Sequence, residues 1–335
     1  MTCCGTTCVD TTGDMHNCGA CGHDCQGGAC TASACQPLQL TTIGSTPYGI
    51  AVDSTNVYWI ARDGSVYSVP IGGGTQTLLG SVGTKGQGIA VQGSSLYATD
   101  YASGVWSLST IPSSPVKIAS GGASAGLTSA IVADTNNVYF STEGSSTSEV
   151  AQAPIGGGAT VPLDSAIAYP MLTISPPFNV AVDATYVYWA DAGTTDNGGS
   201  VQRVLIGGGT VETIATGQAY PWSLVVYSGS VYWTNLGTAA NTYNDGSVMK
   251  LTIGSSPTAL VSNVRSPTML AADASGVYFA MLGSGTSRLI AKVPPGGAAS
   301  PTTLTTLASV VQVADIAVDS TRIYFSQQHV YQLAK

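Results

Sequence analysis

The reactive chemistry of this chain is concentrated at one end. Eight cysteines, Cys3, Cys4, Cys8, Cys18, Cys21, Cys25, Cys30 and Cys35, all fall before residue 36, and no other cysteine follows in the 335-residue sequence. Thiolates at this density either ligate a metal or pair as disulfides. Cys18-Gly-Ala-Cys21 has the CxxC spacing of a zinc ligand pair, but the other six cysteines supply no second spaced pair with histidines in the usual arrangement. A segment this short cannot bury a sufficient core and needs covalent staples. Four disulfides and no metal are therefore expected within residues 3–35, with the connectivity open among about 105 pairings.

The remainder of the chain is poor in groups that do acid–base or nucleophilic work. Its histidines are His16, His23 and His329, two of them in the cysteine segment, and its glutamates are Glu143, Glu149 and Glu212. Gly122-Ala-Ser124-Ala-Gly126 has the letters of a nucleophile elbow, but that motif needs a strand-to-helix turn and a histidine partner. Ser114-Pro-Val-Lys117 is an equally isolated match. The triplets Gly72–Gly74, Gly156–Gly158 and Gly207–Gly209 offer no P-loop lysine and no helix N-terminus for a phosphate, and they read as hairpin turns. Among carboxylates, Asp191, Asp196 and Asp245 are the set whose placement would suit Ca²⁺. Otherwise no cofactor is expected.

These residues have to be held by something, and the sequence shows what. One pattern returns seven times, most clearly as Ile50-Ala-Val-Asp53 with Val57-Tyr-Trp59 and as Val180-Ala-Val-Asp183 with Val187-Tyr-Trp189. Its anchors are Tyr58, Tyr97, Tyr139, Tyr188, Tyr232, Tyr278 and Tyr324. Their spacing, from 39 residues between Tyr58 and Tyr97 to 49 between Tyr139 and Tyr188, is blade-sized. Each unit continues with a third segment such as Gly64–Pro70, a Gly-rich turn, and a fourth such as Thr75–Leu79. Short β-branched and aromatic runs bounded by Gly, Asn, Asp and Ser read as strands. Four strands per unit, repeated radially, predict an all-β, seven-bladed β-propeller over residues 37–335, following a disulfide-rich module over 1–36. The seventh unit stops one strand short. Leu38–Ile43 supplies the missing outer strand beside Val330–Leu333, closing the ring and removing two open edges. Asp53, Asp134, Asp183, Asp273 and Asp319 fill one turn position, where a carboxylate accepts hydrogen bonds from its own turn backbone.

Pro47-Tyr-Gly-Ile-Ala-Val-Asp53…Val57-Tyr-Trp59 resembles the blades of NHL-type, YWTD-type and streptogramin-lyase-like propellers. The segment Cys8-Val-Asp10…Asp14…Asn17-Cys-Gly-Ala-Cys-Gly22…Cys25 resembles the Stig1-type cysteine motif of exported bacterial proteins. The second resemblance implies an extracellular setting. The lyase resemblance implies paired histidines, a glutamate and a metal at the propeller face, whereas a single histidine, His329, lies in this propeller region.

Repeats carry an internal control, because a position filled alike in every blade serves the fold and a divergent one is freer to serve function. Two divergent columns share one end of the blades. The first is Tyr48, Gln87, Ser129, Phe178, Trp222, Thr268 and Ala314. The second is Ala61, Asp100, Thr142, Asp191, Asn235, Met281 and Gln327. Blades four and five contribute Phe178, Trp222, Asp191 and Asn235, together with the longest loops on that face, which carry Asp196, Tyr243 and Asp245. Aromatic faces beside carboxylate and amide acceptors suit a sugar or a small cationic or amphipathic ligand. Trp222 is expected on the rim, so that its removal would cost about 2 kcal/mol of affinity and little stability, with Gln87 as the far-side control.

Composition narrows the function classes. Only 8% of residues are charged, the net charge is −8, and no basic stretch could neutralise phosphates, so nucleic acid is not an expected partner. No apolar run of about 18 residues predicts a transmembrane segment. With 44% hydrophobic residues the chain is not disordered by composition. The expectation is a secreted or cell-surface monomer with its export signal already removed. It would act as a non-catalytic binding or adhesion module for a glycan, small molecule or surface protein. The alternative is a lyase or hydrolase working through carboxylates.

Overall fold

The computed structural model describes residues 1–42, 45–120, 127–143, 147–168, 179–307 and 311–335. Seven four-stranded antiparallel sheets form the ring of a β-propeller. Blade one is Pro47–Val52, Asn56–Ala61, Ser65–Pro70 and Thr77–Ser81, from the central channel outwards. The same order repeats through blade six, which ends at Thr302–Leu307.

The strand pattern follows burial. Each second strand is sandwiched between neighbouring blades and is apolar on both faces: Val57, Tyr58, Trp59 and Ile60 are all at most 2% exposed. Outer strands face solvent and are Thr-rich, as in Thr302–Leu307. The aromatic pairs, from Tyr58-Trp59 to Tyr324-Phe325, fill the spaces between blades, and among the described residues seven apolar clusters make up the core.

The repeated aspartates are turn residues, and the structure adds a partner. Asp183 accepts the N–H of Thr185 at 2.7 Å and of Tyr186 at 2.8 Å, and its other oxygen accepts the Tyr188 hydroxyl at 2.7 Å. Asp53 with Tyr58, Asp134 with Tyr139 and Asp319 with Tyr324 repeat the arrangement. One carboxylate thus fixes a turn and satisfies the buried hydroxyl of the anchoring tyrosine five residues on.

The ring closes as the repeat count requires. Leu38–Gln39 pairs antiparallel with the third strand of blade seven, Leu38 opposite Gln332 and Gln39 opposite Tyr331. Leu40 N–H continues the ladder to the Val330 carbonyl at 2.8 Å, and the Thr41 hydroxyl accepts the Val330 N–H at 3.1 Å. Ile43, the last residue of the expected strand, lies outside the described residues.

The N-terminal module is two small hairpins stapled by Cys3–Cys8, Cys4–Cys21, Cys18–Cys30 and Cys25–Cys35, with no free cysteine. Every thiol is spent in a bridge, which leaves no thiolate for zinc. The module docks on the last blade. Arg322 donates to the Gln26 side chain at 2.7 Å, and His23 Nε2 lies 3.1 Å from the Lys335 carbonyl oxygen. Gln332, 1% exposed, donates to the Gln26 carbonyl at 2.8 Å and accepts the Gly72 N–H of blade one at 3.2 Å. No helix of the described residues is long and apolar enough to cross a membrane.

Candidate functional site

In blades one, two and five the inner strand begins with a bulge at the channel mouth. The register with the second strand shifts between Pro47 and Ile50, between Gly86 and Ile89, and between Pro221 and Leu224. A bulge frees residues from the ladder and re-aims their side chains. Tyr48, Gln87 and Trp222 stand inside these three bulges, which is the physical reason that this column tolerates divergence.

The loop after the second strand of blade five is folded back over the mouth by two of the expected site residues. Asp245 accepts the Thr238 N–H at 2.7 Å, the Thr238 hydroxyl at 2.6 Å and the Asn241 amide at 2.6 Å. Burial pulls its carboxyl upward, but these hydrogen bonds more than offset that and hold it below the usual carboxylate value. Asp196, arriving from blade four, accepts the N–H groups of Ala239 and Ala240 at 3.0 and 3.2 Å. Tyr243 is thereby placed beside Tyr220, ring centroids 6.3 Å apart, and its carbonyl accepts the Ser266 N–H of blade six at 2.9 Å. Both tyrosines have positive φ, 53° at Tyr220 and 57° at Tyr243. For aromatic residues this conformation is uncommon and strained.

The expected site residues do not form one cluster. Asn235 is 5% exposed and donates to Gln218 at 3.0 Å and Ser247 at 3.2 Å, at the base of the loop. Asp191 accepts the Gly193 N–H at 2.9 Å in the blade-four loop. Its carboxyl is pushed up by burial and by the charge of Asp164, against the pull of that hydrogen bond. Asp191, Asp196 and Asp245 each hold backbone, and among the described residues no three carboxylate or imidazole groups converge as a metal site would require. Phe178 and Gly122–Gly126 lie outside the described residues.

Trp222 differs most from its expected setting. It is 5% exposed and belongs to an apolar cluster with Tyr220, Leu236 and Met269, so it is a packed residue and not a free rim side chain. Its indole N–H has no hydrogen-bond partner among the described residues. Trp222 is also the shared wall of two cavities. One, of about 170 Å³, runs between blades five and six, against Leu236, Tyr243, Thr268, Met281, Leu282 and Arg288. The other, of about 280 Å³, continues towards Tyr48, Arg62 and Gln327. Both are also bordered by Thr268, Gln312 and Val313. These two cavities lie on the blade-six and blade-seven side of Trp222, whereas the sequence reading set the site at blades four and five, where the segment carrying Phe178 lies outside the described residues. Thr268 and Met281, the blade-six members of the two divergent columns, carried that signal. Arg288 belongs to neither column and left no trace in the repeat.

Deeper in the channel stands an acid that the repeat also hid. Asp315 opens the inner strand of blade seven, at the position occupied by Gly49, Gly88, Ala130, Asn179, Ser223 and Met269 in the other blades. Its neighbours along the channel are mostly apolar, among them Ile50, Ile89, Ile131 and Ile316, with Asn179 as a polar exception. Burial pushes its carboxyl up to about 7, against the pull of hydrogen bonds from the N–H groups of Ile50 and Ile316, each at 2.9 Å.

No family model matches the chain, and no curated protein sequence matches it. Solved structures do match. Virginiamycin B lyase from Staphylococcus aureus superposes with a TM-score of 0.66 at 13% identity, covering 90% of this chain and 98% of the lyase. The WD40 propeller domain of Doa1 gives 0.64 at 11% identity, over 89% of this chain and 95% of that domain. YCF48 bound to D1 peptide gives 0.62 at 13% identity, over 89% and 94%. At these identities the likeness is one of fold.

Proposed function

We propose that this chain is an exported, non-catalytic binding module that holds a small amphipathic molecule, or a terminal group carried on a glycan or surface protein, in the pocket beside Trp222. One observation carries the reading: a tryptophan packed at 5% exposure forms the common wall of two adjoining cavities while its indole N–H has no partner among the described residues. The indole nitrogen has essentially no accessible surface, so a ligand acceptor would reach it only by a shift of neighbouring side chains. It would then recover the cost of an unsatisfied buried donor, about 1–3 kcal/mol. Together the two cavities reach the range of about 300–1,000 Å³ usual for small-ligand sites, with mostly apolar walls and few polar groups. Four disulfides suit an oxidising compartment, which supports export. The mouth carboxylates already hold loop backbone, which favours binding over carboxylate catalysis.

A screen of glycans and small amphipathic molecules, with calcium and with EDTA, should return ligands whose binding is weakened about ten-fold by Trp222→Phe. That substitution keeps the packed ring and removes the N–H. Gln87, which borders neither cavity, should be replaceable by Ala without effect. Ligands indifferent to Trp222→Phe, or lost on Gln87→Ala, would place binding elsewhere.

A further inference from the structure

We propose that the central channel is a second binding site, which takes a small free alkylamine: the ammonium head donates to Asp315 and Asn179, and the aliphatic tail lies along the inner strands. This site is deeper than the pocket beside Trp222 and does not depend on the reading of that pocket.

The channel has the form of a neck that opens into a wider chamber. The neck, a cavity of about 60 Å³, is bordered by Gly49, Gly88, Ala130, Met269, Asn179 and Asp315. Backbone contact sets its width: a Cβ on Gly49 would fall 2.8 Å from the Gln87 carbonyl oxygen of blade two. The chamber, of about 400 Å³, continues along the inner strands between side chains such as Ile89, Ile131, Val180 and Val226. Asp315 and Asn179 border both spaces. A neck of that size has room for an ammonium group, and the chamber for a short aliphatic chain, whose burial against Ile and Val is favourable.

The polar groups of the neck decide which head is accepted. Asp315 receives the N–H groups of Ile50 and Ile316, yet among the described residues no Lys, Arg or His forms an ion pair with it. Two amide dipoles do not neutralise a full charge, and an ionised carboxylate in apolar surroundings is costly unless a cation stands beside it. The raised carboxyl of Asp315 reflects the same imbalance. Asn179 Nδ2 donates to the Ser223 hydroxyl at 2.7 Å, which leaves the Asn179 side-chain carbonyl oxygen as an acceptor. Both free positions therefore accept, and a primary ammonium, which only donates, complements them. A divalent metal would ask for several more oxygen ligands, and among the described residues no further carboxylate converges there.

Hexylammonium, hexanol and hexanoate share a tail and differ in the head. At pH 8 the Asp315 carboxyl, with its value of about 7, is mostly ionised, and an alkylamine keeps the proton that it loses near about 10.4. On the intact disulfide-bonded chain, calorimetry should find hexylammonium bound about ten-fold more tightly than hexanol, with hexanoate weakest. In NMR spectra the N–H resonances of Ile50 and Ile316 should move as hexylammonium saturates. Asp315→Asn should bring hexylammonium down to the level of hexanol, and Trp222→Phe should leave it unchanged. Hexanol bound as tightly as hexylammonium, or hexylammonium undiminished by Asp315→Asn, would overturn the assignment. Shifts confined to exposed carboxylates would refute it as well, since the cation would then be held by the acidic surface. Should Asp315→Asn not fold, the order of the three heads and the Ile50 and Ile316 shifts in the wild type decide. Binding abolished by Trp222→Phe would move the amine to the mouth pocket and end the channel proposal.

Discussion

Aspartate appears here in two opposed environments. In the turns, Asp53, Asp134, Asp273 and Asp319 feel burial raising their pKa, yet hydrogen bonds from backbone and side chains prevail and hold them below the ordinary value of 3.8. Their contribution to stability is present above that value and is lost as pH falls through the lowered folded pKa. Asp315 runs the other way. Its folded pKa of about 7 lies above the unfolded 3.8, so the unfolded state binds fewer protons between these values and stability falls as pH rises across that window. At about 1.4 kcal/mol per unit the ceiling is about 4 kcal/mol, reduced by contact with channel water. Asp315→Asn keeps an acceptor for the Ile50 N–H and removes the ionisation. Urea midpoints measured from pH 4 to pH 7 should decline in the wild type and flatten in the variant. Parallel pH profiles would show that Asp315 ionises freely in the channel.

Among the elements, the strands divide by what they may vary. Second strands are pressed between blades and show little freedom, whereas bulged starts of inner strands can hold any side chain the mouth requires. The closing strand is short but stands between blade seven and solvent. Leu40 is 6% exposed within the apolar cluster of Val57, Trp59 and Tyr324, which joins blades one and seven. Leu40→Asp buries a carboxylate with no partner, at a cost of several kcal/mol, and unseats the strand that covers the edge. The expected result is a large drop in melting temperature with concentration-dependent association. A variant that stays monomeric with unchanged melting would refute the closing role. The bridges are legible at the same scale only in part: eight crowded cysteines announce four disulfides, while the pairing of Cys18 with Cys30 depends on how the hairpins fold back.

At the scale of the molecule, the module and the ring are continuous. Cys18, Cys25 and Cys35 belong to the same apolar cluster as Ile290, Ile316 and Leu333, and that cluster extends to Trp222 and Leu236 at the pocket. Gln332 ties the module, blade seven and blade one through a single amide. Gln332→Met, of similar volume, leaves the Gly72 N–H and the Gln26 carbonyl unpaired and should cost about 2–4 kcal/mol. The measurement that isolates its role is hydrogen exchange: protection should fall at Gly72 and around Gln26 while the ladders of blades three to five are unaffected. Uniform loss across all blades would mean that Gln332 serves general core packing instead.

How much of this was legible in the sequence depends on the range of the interaction. Strand positions, blade number and the closing strand follow from periodicity and from the need to pair every edge, because a repeat restates the same local constraint seven times. The turn aspartates were readable for the same reason, although their hydroxyl partners five residues on were not drawn from that spacing. Trp222, Thr268 and Met281 from the divergent columns, and Tyr243 from the blade-five loop, line the two cavities beside Trp222. The roles of Asp196 and Asp245 as fasteners of a loop, the burial of Trp222 and the contact of Asp315 with Ile50 depend on how one blade settles on the next. Those contacts join residues distant in sequence and differ from blade to blade. No repetition averages them into a signal, and only the assembled ring decides them.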